Sequence, residues 1–169
     1  LLFNEWIKPE QIEEELVLRP GAVIIFDGVC GAAGSSADDT KDIGFAEARK
    51  RVLSTSSPYL KIGASVYFAT NKGFLYFLDS FFSGKSIGEI QNETKDIFSY
   101  SGCDTILSEH IGKRRLTISS DKPAKGFATL VETSYKNGKK VTTTKKIAIF
   151  RDYDYALFGD EKFKVSDIK

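Results

Sequence analysis

Five consecutive apolar residues, Ala22 to Phe26 (AVIIF), run straight into ten mostly small ones, Asp27 to Ser36 (DGVCGAAGSS). The first run is short and rich in β-branched side chains, the pattern of a strand buried on both faces, as in a parallel sheet. The second run supports neither a strand nor a stable helix. It reads as a loop at the carboxyl end of a buried strand, where open α/β sheets keep their ligand sites. Cys30 lies in that loop. Small neighbours let a substrate carbonyl approach and leave backbone N–H groups free to hold an oxyanion. A cysteine attacks as thiolate and needs a base or a positive field beside it. A packed, inert cysteine is the alternative.

The rest of the chain alternates in the same manner. Residues 9–18 read as a short helix with Pro9 in its first turn. Residues 43–53 read as a helix ended by Ser54 to Ser57 and Pro58. Gly63 to Ala69 (GASVYFA) is a second buried strand, and Phe74 to Phe82 a well-buried helix. Ser86-Ile87-Gly88-Glu89 fits a capping box opening a further helix that carries Ile87, Ile90, Thr94, Ile97 and Phe98 on one face. Arg114 to Ser119 alternates as a strand. Two Thr- and Val-rich segments, Phe127 to Tyr135 and Lys139 to Phe150, meet at Asn137-Gly138, whose residues accept the positive φ of a type I′ hairpin turn. Tyr155 to Gly159 and then Lys162 to Val165 close the chain as its last strand. The expected class is α/β with a mostly parallel sheet and an antiparallel hairpin elaboration. The expected divisions are an α/β core at 1–102, the hairpin elaboration at 103–150 and a final strand of the core at 151–169.

Composition removes several function classes. The 169 residues carry 24 basic and 23 acidic side chains, a net charge of +1, which gives no bulk attraction to nucleic acid or anionic membrane. No apolar run approaches the length of a membrane span. Two cysteines make no disulfide framework, and with one histidine a four-ligand zinc site is not expected. Gly28 to Gly34 (GVCGAAG) lacks the Lys-Ser/Thr of a phosphate loop. Cys103, beyond a helix end, has no strand-end setting and reads as structural. Lys136, Lys139, Lys140, Lys145 and Lys146 gather on the hairpin. Such lysines guard an exposed edge against aggregation, with an acidic partner or nucleic acid as the alternative. The chain has no methionine, so an upstream segment is expected.

Four segments in order carry a family resemblance. Ala22 to Cys30 (AVIIFDGVC) resembles the nucleophile segment of caspase-like, clan CD cysteine peptidases, and Gly63 to Asn71 (GASVYFATN) the strand that follows it. Phe77 to Phe98 (FLDSFFSGKSIGEIQNETKDIF) is similar to the helix pair of gingipain-type domains, peptidase family C25. Tyr155 to Val165 (YALFGDEKFKV) resembles the Leu-Phe-Gly-Asp-Pro ending of that family. The resemblance spans residues 22–165 with a gap at about 103–150. It implies a caspase-like three-layer sandwich and a cysteine endopeptidase, a hydrolase acting on polypeptide through a Cys/His dyad. Cys30 would be the nucleophile, Gly28 and Gly31 would shape the loop and its oxyanion site, and Thr70 and Asn71 would border the substrate cleft. No cofactor is required. Structural calcium is common in such enzymes, with Asp38, Asp39 and Asp42 as candidates here, although their spacing matches no calcium loop. Secretion or a cell-surface location also follows from the resemblance.

The chain departs from the family in its histidine. The family's His-Gly precedes the cysteine, whereas the single histidine here, His110, follows it. The base is therefore expected from upstream sequence or another chain, such as the N-terminal half of the same domain. Glu161 stands where proline is usual, residues 103–150 are longer than expected, and Val29 and Gly31 flank the cysteine. The competing reading is an inactive caspase-like domain that binds other proteins. A small-molecule-binding α/β module would also use the strand-end loop.

Overall fold

The computed structural model describes residues 9–29, 31–36, 39–71, 74–99, 103–121, 127–148 and 151–168. Helix α1 (Pro9–Glu15) leads to strand β1 (Val23–Asp27), helix α2 (Gly44–Lys61) and strand β2 (Val66–Thr70). Helices α3 (Phe74–Phe82) and α4 (Ile87–Ser99) follow, then strands β3 (Cys103–Ile111), β4 (Arg114–Asp121), β5 (Phe127–Lys136), β6 (Lys139–Ala148) and β7 (Tyr155–Gly159). A single 3-10 turn, Val165–Asp167, comes last.

The fold is mixed α/β. A five-stranded sheet runs in the order β1-β2-β7-β4-β3, and β5-β6 forms a separate two-stranded ribbon. Among the described residues only β1 and β2 pair in parallel, joined through α2; β2-β7, β7-β4 and β4-β3 are antiparallel. The expectation of a mostly parallel sheet is thus corrected. A run of apolar residues points to burial on both faces, which holds for every residue of β2 and β7 but not for β1, an edge strand among the described residues whose side chains are half-buried or exposed. Burial does not report direction, which the connections set. The two-residue turn at Gly112-Lys113 forces β3 against β4, and β7 enters beside β4 antiparallel.

Side-chain alternation along the central strands builds two cores. Tyr67 and Ala69 of β2 face α2, packing with Val52, Leu60, Leu116, Ile118 and Phe158. Val66 and Phe68 face α3 and α4, packing with Phe77, Phe81, Ile87 and Leu157. The second core holds a column of stacked rings: Phe68 lies 4.1 Å from Phe77, which stacks on Phe81 at 5.6 Å, with Phe163 beyond. The result is three layers, helices on both faces of one sheet.

Several local expectations shift. Helix α2 runs through Ser54 to Ser57 and past Pro58 to Lys61. Thr55 and Ser56 donate their hydroxyls to the carbonyls of Arg51 and Leu53, and burial of Val52, Ser56, Pro58 and Leu60 overrides the local breaking signals. Helix α3 buries Phe77 and Phe81 but leaves Leu75 and Phe82 72% and 68% exposed, so one face only is covered. Residues 162–165 make no strand; Phe163 instead plugs the second core. Strands β3 and β4 belong to the main sheet, so the hairpin that stands apart is 127–148 rather than 103–150. The capping box holds: Ser86 N–H donates to Glu89 Oε2 at 2.7 Å, and Glu89 N–H to Ser86 Oγ at 3.3 Å. At Asn137 and Gly138 φ is +51° and +75°, as the hairpin turn requires.

Candidate functional site

The carboxyl ends of β1 and β2 meet the amino end of β7 at one rim of the sheet. Cys30 and Asp38 lie outside the described residues; the frame around them does not. The β1-β2 ladder extends one step past Asp27, with Gly28 N–H donating to Thr70 O at 2.9 Å. The chain then turns: Ala32 N–H donates to Val29 O at 3.2 Å, Gly34 N–H to Gly31 O at 3.2 Å, and Gly31 N–H to Ser35 O at 2.8 Å. Gly28 and Gly31 take φ of +69° and +78° with no atom within 4 Å of a would-be Cβ, so backbone conformation, not crowding, calls for glycine there.

Two clamps fix this loop to the body. Ser35 and Tyr153 bond reciprocally: Ser35 N–H donates to Tyr153 O at 3.0 Å, and Tyr153 N–H to Ser35 Oγ at 2.8 Å. From below, the buried Tyr67 hydroxyl donates to Ala32 O at 2.9 Å. Burial pushes the Tyr67 phenol well above its ordinary range, so it stays a neutral donor. Asn71 N–H bonds Asp154 O at 2.9 Å, tying the end of β2 to the residues before β7. None of Ser35, Tyr67 or Tyr153 is marked by sequence pattern. Ser35 is one small residue among several, Tyr67 lies within a run read as a buried strand, and Tyr153 falls between the expected elements.

The expected site residues divide. Gly28 and Gly31 take positive φ, and both amides are already donating, so neither is a free oxyanion donor. The small residues spend most of their N–H groups on holding the loop closed. Thr70 is buried and does not border a cleft; it is the last residue of a strand covered on both faces. Asn71, the next residue, is exposed at the rim. Asp39 is no open calcium ligand. Arg51 grips both of its carboxylate oxygens at 2.8 and 2.9 Å, and Ser36 N–H adds a bond at 2.8 Å. The Arg51 hydrogen bonds hold the Asp39 carboxyl below the usual range. Asp42 accepts from Gly44 N–H at 2.9 Å and lies 3.8 Å from the Arg151 guanidinium. Among the described residues no group of three or more metal-ligating side chains converges. A polar cavity of about 160 Å³ opens beside the loop, lined by Ser35, Ser36, Lys41, Arg151 and Asp152 among others.

His110 is on the wrong rim. Register runs from His110 to Arg115, then Gly159, Val66 and Val23, the amino end of β1. The carboxyl end of β1 is a further four residues on, about 13 Å along the strand, and β1 and β3 are four strand spacings apart, about 19 Å. The His110 imidazole is 65% exposed and bonds Glu161 Oε2 at 2.9 Å. As the chain has one histidine, no imidazole of its own serves the end of β1. Among the described residues no helix is long and apolar enough to cross a membrane.

Comparison with known proteins finds no family model, no curated protein and no solved structure that matches the chain.

Proposed function

We propose that this chain is the cysteine-bearing part of a caspase-like, gingipain-type cysteine peptidase, with Cys30 as nucleophile and the histidine delivered by a segment outside it. One observation carries the reading: a small-residue loop holding Cys30 begins where β1 ends, clamped on both sides to β2 and to the residues before β7. That is where a nucleophile on an open α/β sheet must stand to meet substrate. The position of β1 supports it. AVIIF is a run suited to a strand with neighbours on both sides, yet among the described residues β1 pairs on one edge only and its side chains are half-buried or exposed. A strand laid along the free edge would cover it and could end with an imidazole near residue 30. In the reaction, the Cys30 thiolate adds to a peptide carbonyl. The histidine gives its proton to the leaving amine, and water hydrolyses the thioester.

The test is alkylation of Cys30 by iodoacetamide in a Cys103→Ser background, in this chain alone and in the same chain extended by its upstream sequence. The chain alone should titrate like an ordinary thiol of pKa about 8.5, and the extended protein should react fast at neutral pH. Identical profiles for the two would sink the dyad. A second reading, an inactive scaffold that binds other proteins, is favoured by the engaged amides of Gly28 and Gly31 and by the placement of His110. It is the one left standing by that result.

A further inference from the structure

Among the described side chains, those of the β5-β6 ribbon join neither core. Residues 133–144 are exposed without interruption, on both faces of the ribbon. Val131 and Tyr135, on one face, are 58% and 74% exposed. A lone two-stranded hairpin is marginal in water, because it has no second layer to bury a face against. Charge sets it further apart. Residues 127–148 hold five lysines and one glutamate, a net of +4, so the remainder of the chain carries −3 of the total +1. Lys136 and Lys139 stand directly opposite each other across the turn, a like-charge pair that the ribbon alone does not relieve.

Strand β6 reads Lys139-Lys140-Val141-Thr142-Thr143-Thr144-Lys145-Lys146, two lysines at each end of four β-branched residues. The centre is a strong strand former without Pro or Gly. Among the described residues β6 pairs with β5 alone, so its outer edge offers backbone groups to a further strand. The terminal lysines reject a second copy of the same edge, since like charges would meet, and favour an acidic newcomer. A polyanion such as duplex nucleic acid is less well matched, because it has no peptide backbone to pair with the outer edge of β6.

We infer that β6 is a docking edge for an acidic, extended polypeptide segment, which adds as a third strand with carboxylates near the two lysine pairs. Backbone pairing supplies the affinity and the lysines supply the selection. The inference is independent of any chemistry at Cys30.

The experiment is fluorescence anisotropy of a labelled decapeptide, two glutamates at each end and alternating Val-Thr between, titrated with the whole chain. Binding at roughly 10–100 μM is expected, weakened at least about fivefold between roughly 50 and 300 mM salt. Exchanging Lys139, Lys140, Lys145 and Lys146 for Gln should weaken it about tenfold or more while leaving the melting temperature of the body unchanged. A peptide of the same charge with central prolines should not bind, since it cannot pair as a strand. The inference is overturned by any of four results: no binding, equal binding of the proline peptide, an unaffected lysine variant, or tighter binding of an oligo-dT or heparin probe than of the decapeptide.

Discussion

Replacing Tyr67 with Phe tests whether the loop around residue 30 is held from below. The change removes one oxygen and keeps the ring, which sits edge-on to Phe26 at 5.7 Å. The lost bond is the 2.9 Å donation to Ala32 O. Tyr67 is fully buried and Ala32 is 2% exposed, so water does not replace the donor. A buried hydrogen bond is worth about 1 kcal/mol net, and leaving its acceptor unsatisfied raises the cost toward about 2 kcal/mol. For a domain of this size each kcal/mol moves the melting temperature by about 2–4 °C, so a fall of about 2–8 °C is expected. Urea unfolding should show a lower midpoint at an unchanged slope, since no extra surface is exposed. Ser35→Ala, which leaves the Tyr153 amide without its 2.8 Å acceptor, should cost a similar amount. The two acting on one loop should couple in a double-mutant cycle. A Tyr67→Phe chain as stable as the parent would show that the loop does not depend on this clamp, and the account of the site's rigidity would fail with it.

Gly34→Ala should be more damaging. A Cβ there would lie 2.9 Å from Tyr153 Cβ and 3.0 Å from Ala48 Cβ at a φ of +130°, so strain and overpacking together should cost about 2–4 kcal/mol, read as a lower urea midpoint. Gly88→Ala gains about 1 kcal/mol of helix propensity. Its Cβ would however meet Glu161 Cβ at 3.0 Å and Glu161 O at 3.1 Å, so a net loss of about 1 kcal/mol is expected by the same measurement. Asp39, Glu93 and Glu161 all have carboxyls held below their ordinary range, each chiefly by a side-chain hydrogen bond, with Arg51, Lys85 and His110 respectively. A depressed folded pKa stabilises above the unfolded value of about 4 and is lost as pH falls through the folded one, so the chain should weaken below about pH 4. Asp39→Asn should flatten that loss between about pH 5 and 3; an unchanged slope would show that the Arg51 pair adds nothing.

Local chemistry was legible wherever a few neighbouring residues decide the outcome. AVIIF supplies most of β1 through its β-branched side chains, while Ser86 to Glu89 capped α4 and Asn137-Gly138 turned the hairpin through bonds or dihedrals internal to the segment. Strand β3 was missed although Gly112-Lys113 separates two strand-length runs, Cys103–Ile111 and Arg114–Asp121, a hairpin signal in its own right. Pro58 misled because propensity is a matter of about 3 kcal/mol in a helix interior, and the face burying Val52 and Leu60 outweighs it.

The sequence by itself determined that residues 23–27, 66–70 and 155–159 are strands, where the small-residue loop with Cys30 falls, and that the chain's one histidine follows the cysteine. Tertiary structure alone decided that β7 and β4 run antiparallel beside β2. It also decided that the loop's amides are consumed by Thr70, Ser35 and their neighbours, and that His110 sits on the far rim. The reason is physical. Burial, turn chemistry and capping are set within a few residues. Strand direction, hydrogen-bond partners and the distance between two side chains depend on segments as far apart as Ser35 and Tyr153, which the packed core alone brings together.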